Sequence, residues 1–310
     1  SSVAYFAARL GLAYDDAMIK SFHGRLRPDS TEFDKERLLN ELTGLAACNR
    51  KCFFLTDGVV SPKLICSTLA GRGFGELRVS VGERLSYPDE KINSYMIKNI
   101  VDGDFDTPNI VCIENDKIRK NIRVNIRDSD FIRGSVPMTK EDVRALSLSK
   151  LCLKPDAVCW DIGAGTGSLS CTMALAVPYG RVYAVEKDME ALKLIRQNKE
   201  KFGCYNIEIV EGAAPAVLST LPPPDSVFIG GSGGALSAIV NEICGKNFRA
   251  RIVINAVTLE TLNAAQAIIE KNFYDAQITQ ISVNEFQKTG PYTMLRAQNP
   301  VFIINFGGET

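Results

Sequence analysis

The chain has 310 residues, 45% apolar and 23% charged, a composition that excludes a disordered or low-complexity polymer and a length that suits two α/β domains better than one core. Basic and acidic side chains number 36 each, which excludes the broad cationic face that counterion release rewards in a nucleic-acid binder. No apolar run nears the ~20 residues that span a bilayer, and no signal-peptide pattern opens the chain, so no membrane association is expected.

In chain order, SSVAYFAARL predicts a helix ended by Gly11, AMIKSF a strand, FDKERLLNEL a helix and KCFFLT a buried strand. SPKLICSTLA predicts a helix entered through Pro62, ELRVSV a strand and NIVCIEN the last strand of the first half. Residues 115–135 are polar with weak periodicity and suit a connector; the domain division expected is 1–118, a linker at 119–132, and 133–310. The chain has no initiator methionine and begins in helix-like sequence, so an interior piece of a longer protein is expected.

The second half opens at TKED, where Thr139 and Asp142 form a capping-box-like start to a helix through VRALSLSKL. AVCWDI, RVYAVE, NIEIVEG, DSVFIGG and RIVINAV then predict strands, separated by a glycine-rich turn and by helices at SLSCTMALA, DMEALKLIRQNKEKF and ALSAIVNEICG. LETLNAAQAIIEKN adds a helix, and YDAQITQISV and PVFIINF two closing strands with no helix between them. Strands alternating with helices imply a mostly parallel sheet covered on both faces, finished by a terminal antiparallel hairpin.

Residue types narrow the chemistry. The nine cysteines are odd in number and scattered, which fits free thiols buried in a reducing, cytoplasmic setting better than a disulfide framework or a zinc site. His23 is the only histidine, so no multi-histidine metal site is expected and a nucleophile–histidine pair has one residue to draw on.

The strongest local pattern is Asp161-Ile-Gly163-Ala-Gly165-Thr-Gly167, which closes a strand and opens a helix. Glycines there admit a ligand to the backbone, and the helix N-terminus favours negative charge. The spacing is acid-x-G-x-G-x-G, Glu186 ends the next strand where a carboxylate can accept bonds from ribose hydroxyls, and Gly212 follows the third strand. Together these resemble the Rossmann-like class I methyltransferases that use S-adenosyl-L-methionine. The fourth-strand tip is FIGG, so Gly230 and Gly231 offer bare amides where the donor methyl is expected.

VPMTKEDVRALSLSKL, DIGAGTGSLS, VYAVEKD, FIGGSGG, VINAVTLET and NPVFII, in this order, resemble the cobalamin-pathway C-15 methyltransferases over about residues 130–306. The resemblance implies methylation of a meso carbon of a precorrin or cobalt-precorrin with decarboxylation of a ring acetate. It implies donor contacts at Thr139, Asp161, Gly163, Gly165, Gly167, Glu186, Gly212, Ala213 and Ala214, a transfer site at Gly230 and Gly231, and a homo-oligomer, by family a tetramer. Thr139 reads as a helix cap before it reads as a donor contact. The acceptor is a polycarboxylate, so Arg133, Lys140 and Arg144 are candidate anchors. One position departs: Ala213 stands where that family usually carries Asp or Glu, a loss of about 1 kcal/mol if the acid accepts from the adenine amine.

In the first half, SSVAYFAARLGLAYDDAMIKSFHGR, FFLTDGVVSPKLI and VGERLSYPDEKI resemble the second domain of the C-5 tetrapyrrole methylases. That family binds its donor between two domains, and the first is not within these 310 residues, so C-5 transfer is not expected of this chain alone. An RNA or protein methyltransferase sharing the donor site, and a non-catalytic assembly module, remain the alternatives.

Overall fold

Two separate sheets arise from the alternating apolar segments, one in residues 1–122 and one in residues 123–310. The computed structural model describes every residue except 28, 101–102, 119–125, 273–274 and 309–310. Half of the expected linker, residues 119–125, therefore lies outside the described residues. Its last part is firmly placed, because Ile126 and Phe131 are buried in the core of the second unit.

The first unit runs α1 (Ser2–Leu10), β1 (Met18–Ser21), α2 (Glu32–Cys48), β2 (Lys51–Leu55), α3 (Pro62–Leu69), β3 (Arg78–Glu83), β4 (Lys91–Met96) and β5 (Asn109–Glu114). Local chemistry sets these limits. Gly11 turns left-handed to end α1, and Thr31 with Asp34 forms a full capping box on α2. The five strands order as β1-β2-β5-β3-β4, parallel only between β1 and β2. Val3, Phe6 and Ala7 of α1 pack on Phe53 and Cys112, with the Phe6 and Phe53 rings edge-on at 6.1 Å. Strand β4 goes beyond the sequence reading: it lies at the sheet edge, has no buried residue, and so carries no alternating pattern.

The second unit runs α4 (Glu141–Lys150), β6 (Val158–Ile162), α5 (Ser168–Ala176), β7 (Arg181–Glu186), α6 (Met189–Lys201), β8 (Ile207–Glu211) and β9 (Ser226–Ile229). It continues with α7 (Leu236–Lys246), β10 (Arg251–Ala256), α8 (Leu259–Asn272), β11 (Gln277–Ile281), β12 (Asn284–Thr289), β13 (Tyr292–Ala297) and β14 (Val301–Phe306). The seven-stranded sheet orders as β11-β14-β10-β9-β6-β7-β8. Strands β10, β9, β6, β7 and β8 are mutually parallel, and β14 runs antiparallel between β10 and β11. Two apolar layers cover the faces, one around Leu169, Met173 and Phe228, the other around Val227, Ile239 and Trp160, the chain's single tryptophan and fully buried. This is the Rossmann-like α/β arrangement expected, with the strand order reversing between β6 and β9.

The closing strands pair as expected, but not through a simple turn. Residues between β11 and β14 form their own two-stranded ribbon, β12 with β13, exposed along its whole length. The start of α4 also needs correction. Lys140 is the N-cap and Thr139 makes no capping bond, because the chain approaches the helix extended and Arg144 takes the Thr139 carbonyl at 2.7 Å.

All nine cysteines are free; Cys52, Cys66, Cys112, Cys159, Cys171 and Cys204 are buried and only Cys152 is exposed. Burial pushes the Cys52 and Cys66 thiols up to about 12. Among the described residues no helix is long and apolar enough to cross a membrane, and no cluster of three or more metal-ligating side chains forms.

Candidate active site

In an open parallel sheet the strand tips flanking a reversal of order leave a crevice. Here a cavity of about 1360 Å³ opens over the C-terminal ends of β6, β7, β8, β9 and β10, roofed in part by segment 133–140 and by the β12–β13 ribbon. Gly163, Gly165, Glu186, Gly212, Ala213, Ala214, Gly230, Gly231, Arg133, Thr139 and Lys140 all line it, so most of the sequence-predicted site residues converge.

Glycine at 163 is required by the close approach of two turns. Its φ is 72°, and a β-carbon there would sit 2.8 Å from the Gly231 backbone. Gly231 itself has open space where a β-carbon would point, and that space is the cavity. The carboxylate of Glu186 is fixed by backbone amides: Gly165 N–H donates to Oε2 at 2.9 Å, and Lys187 and Asp188 N–H donate to Oε1 at 2.8 and 3.0 Å. Three of its roughly four lone-pair sites are thus used, and Oε2 keeps one for a ligand. Gly212 reinforces the same corner, its N–H donating to the Glu186 carbonyl at 2.9 Å.

Three expectations are corrected by position. Asp161 does not line the cavity; it is 1% exposed beneath the turn, with Oδ2 bonded to the Ser170 hydroxyl and Oδ1 unpaired among the described residues. Burial pushes its carboxyl up to about 7, against the Ser170 hydrogen bond and with help from the Glu186 charge. Gly167 is likewise outside the cavity, its missing β-carbon making room for Ile195 at 3.2 Å, which is a packing role. Arg144 is not an anchor. Its side chain is 1% exposed, donates to Asp128 at 3.1 Å and to the carbonyls of Thr139 and Ile126, and stacks on Phe131 at 4.9 Å.

Asn255 and Arg296 are among the lining residues that escaped the sequence reading. Asn255 sits in β10, whose Ile254 pairs with Ile229 of β9, and its Oδ1 lies 3.1 Å from the Ser147 hydroxyl of α4. A polar residue inside the apolar run RIVINAV is the signal that could have found it. Arg296, on β13, lines the cavity from the ribbon and carries no comparable signal.

The family described as "Precorrin methyltransferase domain" matches residues 131–306. A probable cobalt-precorrin-6B C(15)-methyltransferase (decarboxylating) of Pyrobaculum calidifontis is 46% identical over 182 residues, covering 58% of this chain and 93% of that protein. Its counterpart of Salmonella typhi, named without "probable", is 38% identical over 182 residues, 58% of this chain and 94% of that protein. Among solved structures, a precorrin-6y C5,15-methyltransferase of Geobacter metallireducens superposes with TM-score 0.57 at 39% identity, covering 61% of this chain and 99% of that one. The match spans residues 131–306 of the unit that builds the cavity, glycine turn, Glu186 corner and ribbon included, and on it the chain belongs to the precorrin methyltransferase domain family.

Proposed function

We propose that this chain transfers a methyl group from S-adenosyl-L-methionine to C-15 of a precorrin or cobalt-precorrin and decarboxylates a ring acetate, as a step of cobalamin biosynthesis. The observation that carries the reading is Glu186, held by three amides at the lip of a glycine-lined crevice with one acceptor site left over. The residues present fit the donor. Gly165 has Pro137 carbonyl 3.1 Å from its absent β-carbon, so only glycine leaves the turn open, and Glu186 Oε2 is placed for a ribose hydroxyl. Ala213 and Ala214 line the region beyond Gly212, with no acid for an adenine amine. The names of the relatives supply the acceptor and the reaction.

When bound, the donor supplies a methyl group already activated by its sulfonium, which leaves as a thioether. What remains for the protein is alignment and exclusion of water. Gly231 keeps the space above β9 free of a side chain so that the meso carbon can reach the methyl, while Gly230 makes room for the Phe228 ring, 2.9 Å from where its β-carbon would sit. In the acetate the carbon–carbon bond breaks, its electron pair enters the conjugated ring, and carbon dioxide leaves; one proton is lost at the methylated carbon and one is taken up where the carboxyl was. No histidine is needed for these steps, and His23 lies in the first unit, its Nδ1 3.4 Å from the Thr56 carbonyl.

Residues 1–118 are proposed as the second domain of a tetrapyrrole methylase, and the chain as a homo-oligomer. A two-stranded ribbon exposing Phe286, Tyr292, Met294 and Leu295 is marginal alone and supports that assembly. The decisive experiment incubates the full chain with S-adenosyl-L-methionine and cobalt-precorrin-6B and follows product mass. One methyl gained with carbon dioxide lost is the expected result, and a methyl gained without that loss overturns the assignment.

A further inference from the structure

The charges around the cavity are unevenly committed. All five carboxylates that line it are in use: Asp128 with Arg144, Glu186 with its three amides, Asp188 capping α6 through Ala191 N–H, Glu190 with Ser135, and Glu285 with Gln298 Nε2 at 2.9 Å. Among the lining cations Arg133, Lys187 and Arg296 have no ion-pair partner among the described residues. Even Glu285, which stands directly across from Arg296 in the ribbon, is tied instead to Gln298.

Sheet order separates these cations. Glu186, Gly163 and Gly212 place the donor over the tips of β6, β7 and β8, and Lys187 follows β7 on that side. The other half of the cavity lies over β9, β10 and the root of the ribbon, lined by Gly231, Asn255 and Arg296. On the open half, the Asn255 carboxamide lies 3.1 Å from the Ser147 hydroxyl, whose single proton goes to the Val143 carbonyl at 2.8 Å. The uncommitted charge on this side is a donor, the guanidinium fork of Arg296.

We propose that Arg296 anchors a peripheral carboxylate of the tetrapyrrole acceptor and so makes the β12–β13 ribbon the element that selects the acceptor. The inference rests on the acceptor class proposed above. The carboxylate held is one that stays on the product, because a cation paired to the departing carboxylate would stabilise it and slow its loss. Arg296 thus acts in binding and orientation, and not in the bond-breaking steps.

The test uses the full chain with cobalt-precorrin-6B and S-adenosyl-L-methionine, comparing wild type with Arg296→Gln, Arg296→Lys and, on the same ribbon but outside the cavity lining, Lys288→Gln. Arg296→Gln is expected to raise the acceptor KM by about 10- to 100-fold, leave the donor Kd by calorimetry within twofold (~2) of wild type, and flatten the salt dependence of kcat/KM. Arg296→Lys should recover part of the loss and Lys288→Gln should match wild type. An unchanged acceptor KM in Arg296→Gln, or a changed ratio of methyl gained to carbon dioxide lost, overturns the assignment while the proposed reaction stands. A wild-type chain that binds the donor but leaves the tetrapyrrole untouched overturns the reaction itself and this inference with it.

Discussion

Gly163 and Gly231 lie so close that a β-carbon on the first would sit 2.8 Å from both the nitrogen and the carbonyl oxygen of the second. The turn after β6 and the turn after β9 therefore meet backbone to backbone at the reversal point of the sheet, and the crevice exists because neither carries a side chain there. Gly163→Ala is expected to destabilise the second unit by about 2–4 kcal/mol, from the left-handed conformation and the overlap together. Urea unfolding compared with wild type checks this, and donor affinity should fall in parallel; a variant with wild-type midpoint and affinity would remove the structural basis claimed for the crevice.

At Glu186 the expected change is in binding. Glu186→Gln puts an NH2 group where one of three backbone N–H donors now points, so the side chain must turn and the free acceptor site is lost. Donor affinity should drop by about 1–3 kcal/mol by calorimetry. Calorimetry that finds the donor bound as tightly as before would detach this carboxylate from the ribose.

Asp161 gives the unit a pH signature. Its carboxyl ordinarily titrates at 3.8 and in the folded chain is pushed up to about 7. Between those values the unfolded chain has released this proton while the folded chain still holds it, so unfolding releases a proton and the group's contribution to stability falls as pH rises from about 4 to about 7, then stays level. Asp161→Asn keeps an acceptor for Ser170 and removes the titration. It should gain stability over wild type at pH 8 and little or none at pH 4, read as the difference in denaturant midpoints across that range; a difference that does not grow with pH counts against it.

Arg144→Met should behave as a stability mutant. It would leave Asp128 and the carbonyls of Thr139 and Ile126 without their buried donor, at a loss of about 3–5 kcal/mol. Where folded protein can be recovered in the cold, the acceptor KM should equal that of wild type, because Arg144 does not line the cavity.

Ala213→Asp should tighten donor binding several-fold, about 1 kcal/mol, by restoring an acceptor in the region beyond Gly212. Titration of wild type and variant with S-adenosyl-L-methionine decides this; equal affinities would mean that the residue after Gly212 does not meet the adenine.

How far the site was legible in the sequence follows from which residue types chemistry constrains. Gly163, Gly165 and Glu186 were visible because a backbone-lined turn and a strand-tip acid admit few alternatives, and the mostly parallel sheet followed from the alternation of apolar segments, although their order in the sheet did not. Arg144 was read as a candidate anchor for the acceptor, although it shares a helical face with the buried Ser147, Leu148 and Leu151, a spacing that already pointed inward. Gly167 looked like its neighbours in the motif, and only the position of Ile195 distinguishes packing from binding. The β12–β13 ribbon left no periodic trace because neither of its faces is buried, and Arg296 went unseen with it.

The burial of Trp160 in β6, one residue before Asp161, gives the molecule a built-in reporter. As the chain's single tryptophan, it makes intrinsic indole emission a signal from residues 123–310 alone, silent to events in the first unit. Far-ultraviolet dichroism sums both units, so a gap between the two melting profiles would date the loss of each half separately, without cutting the chain or attaching a dye.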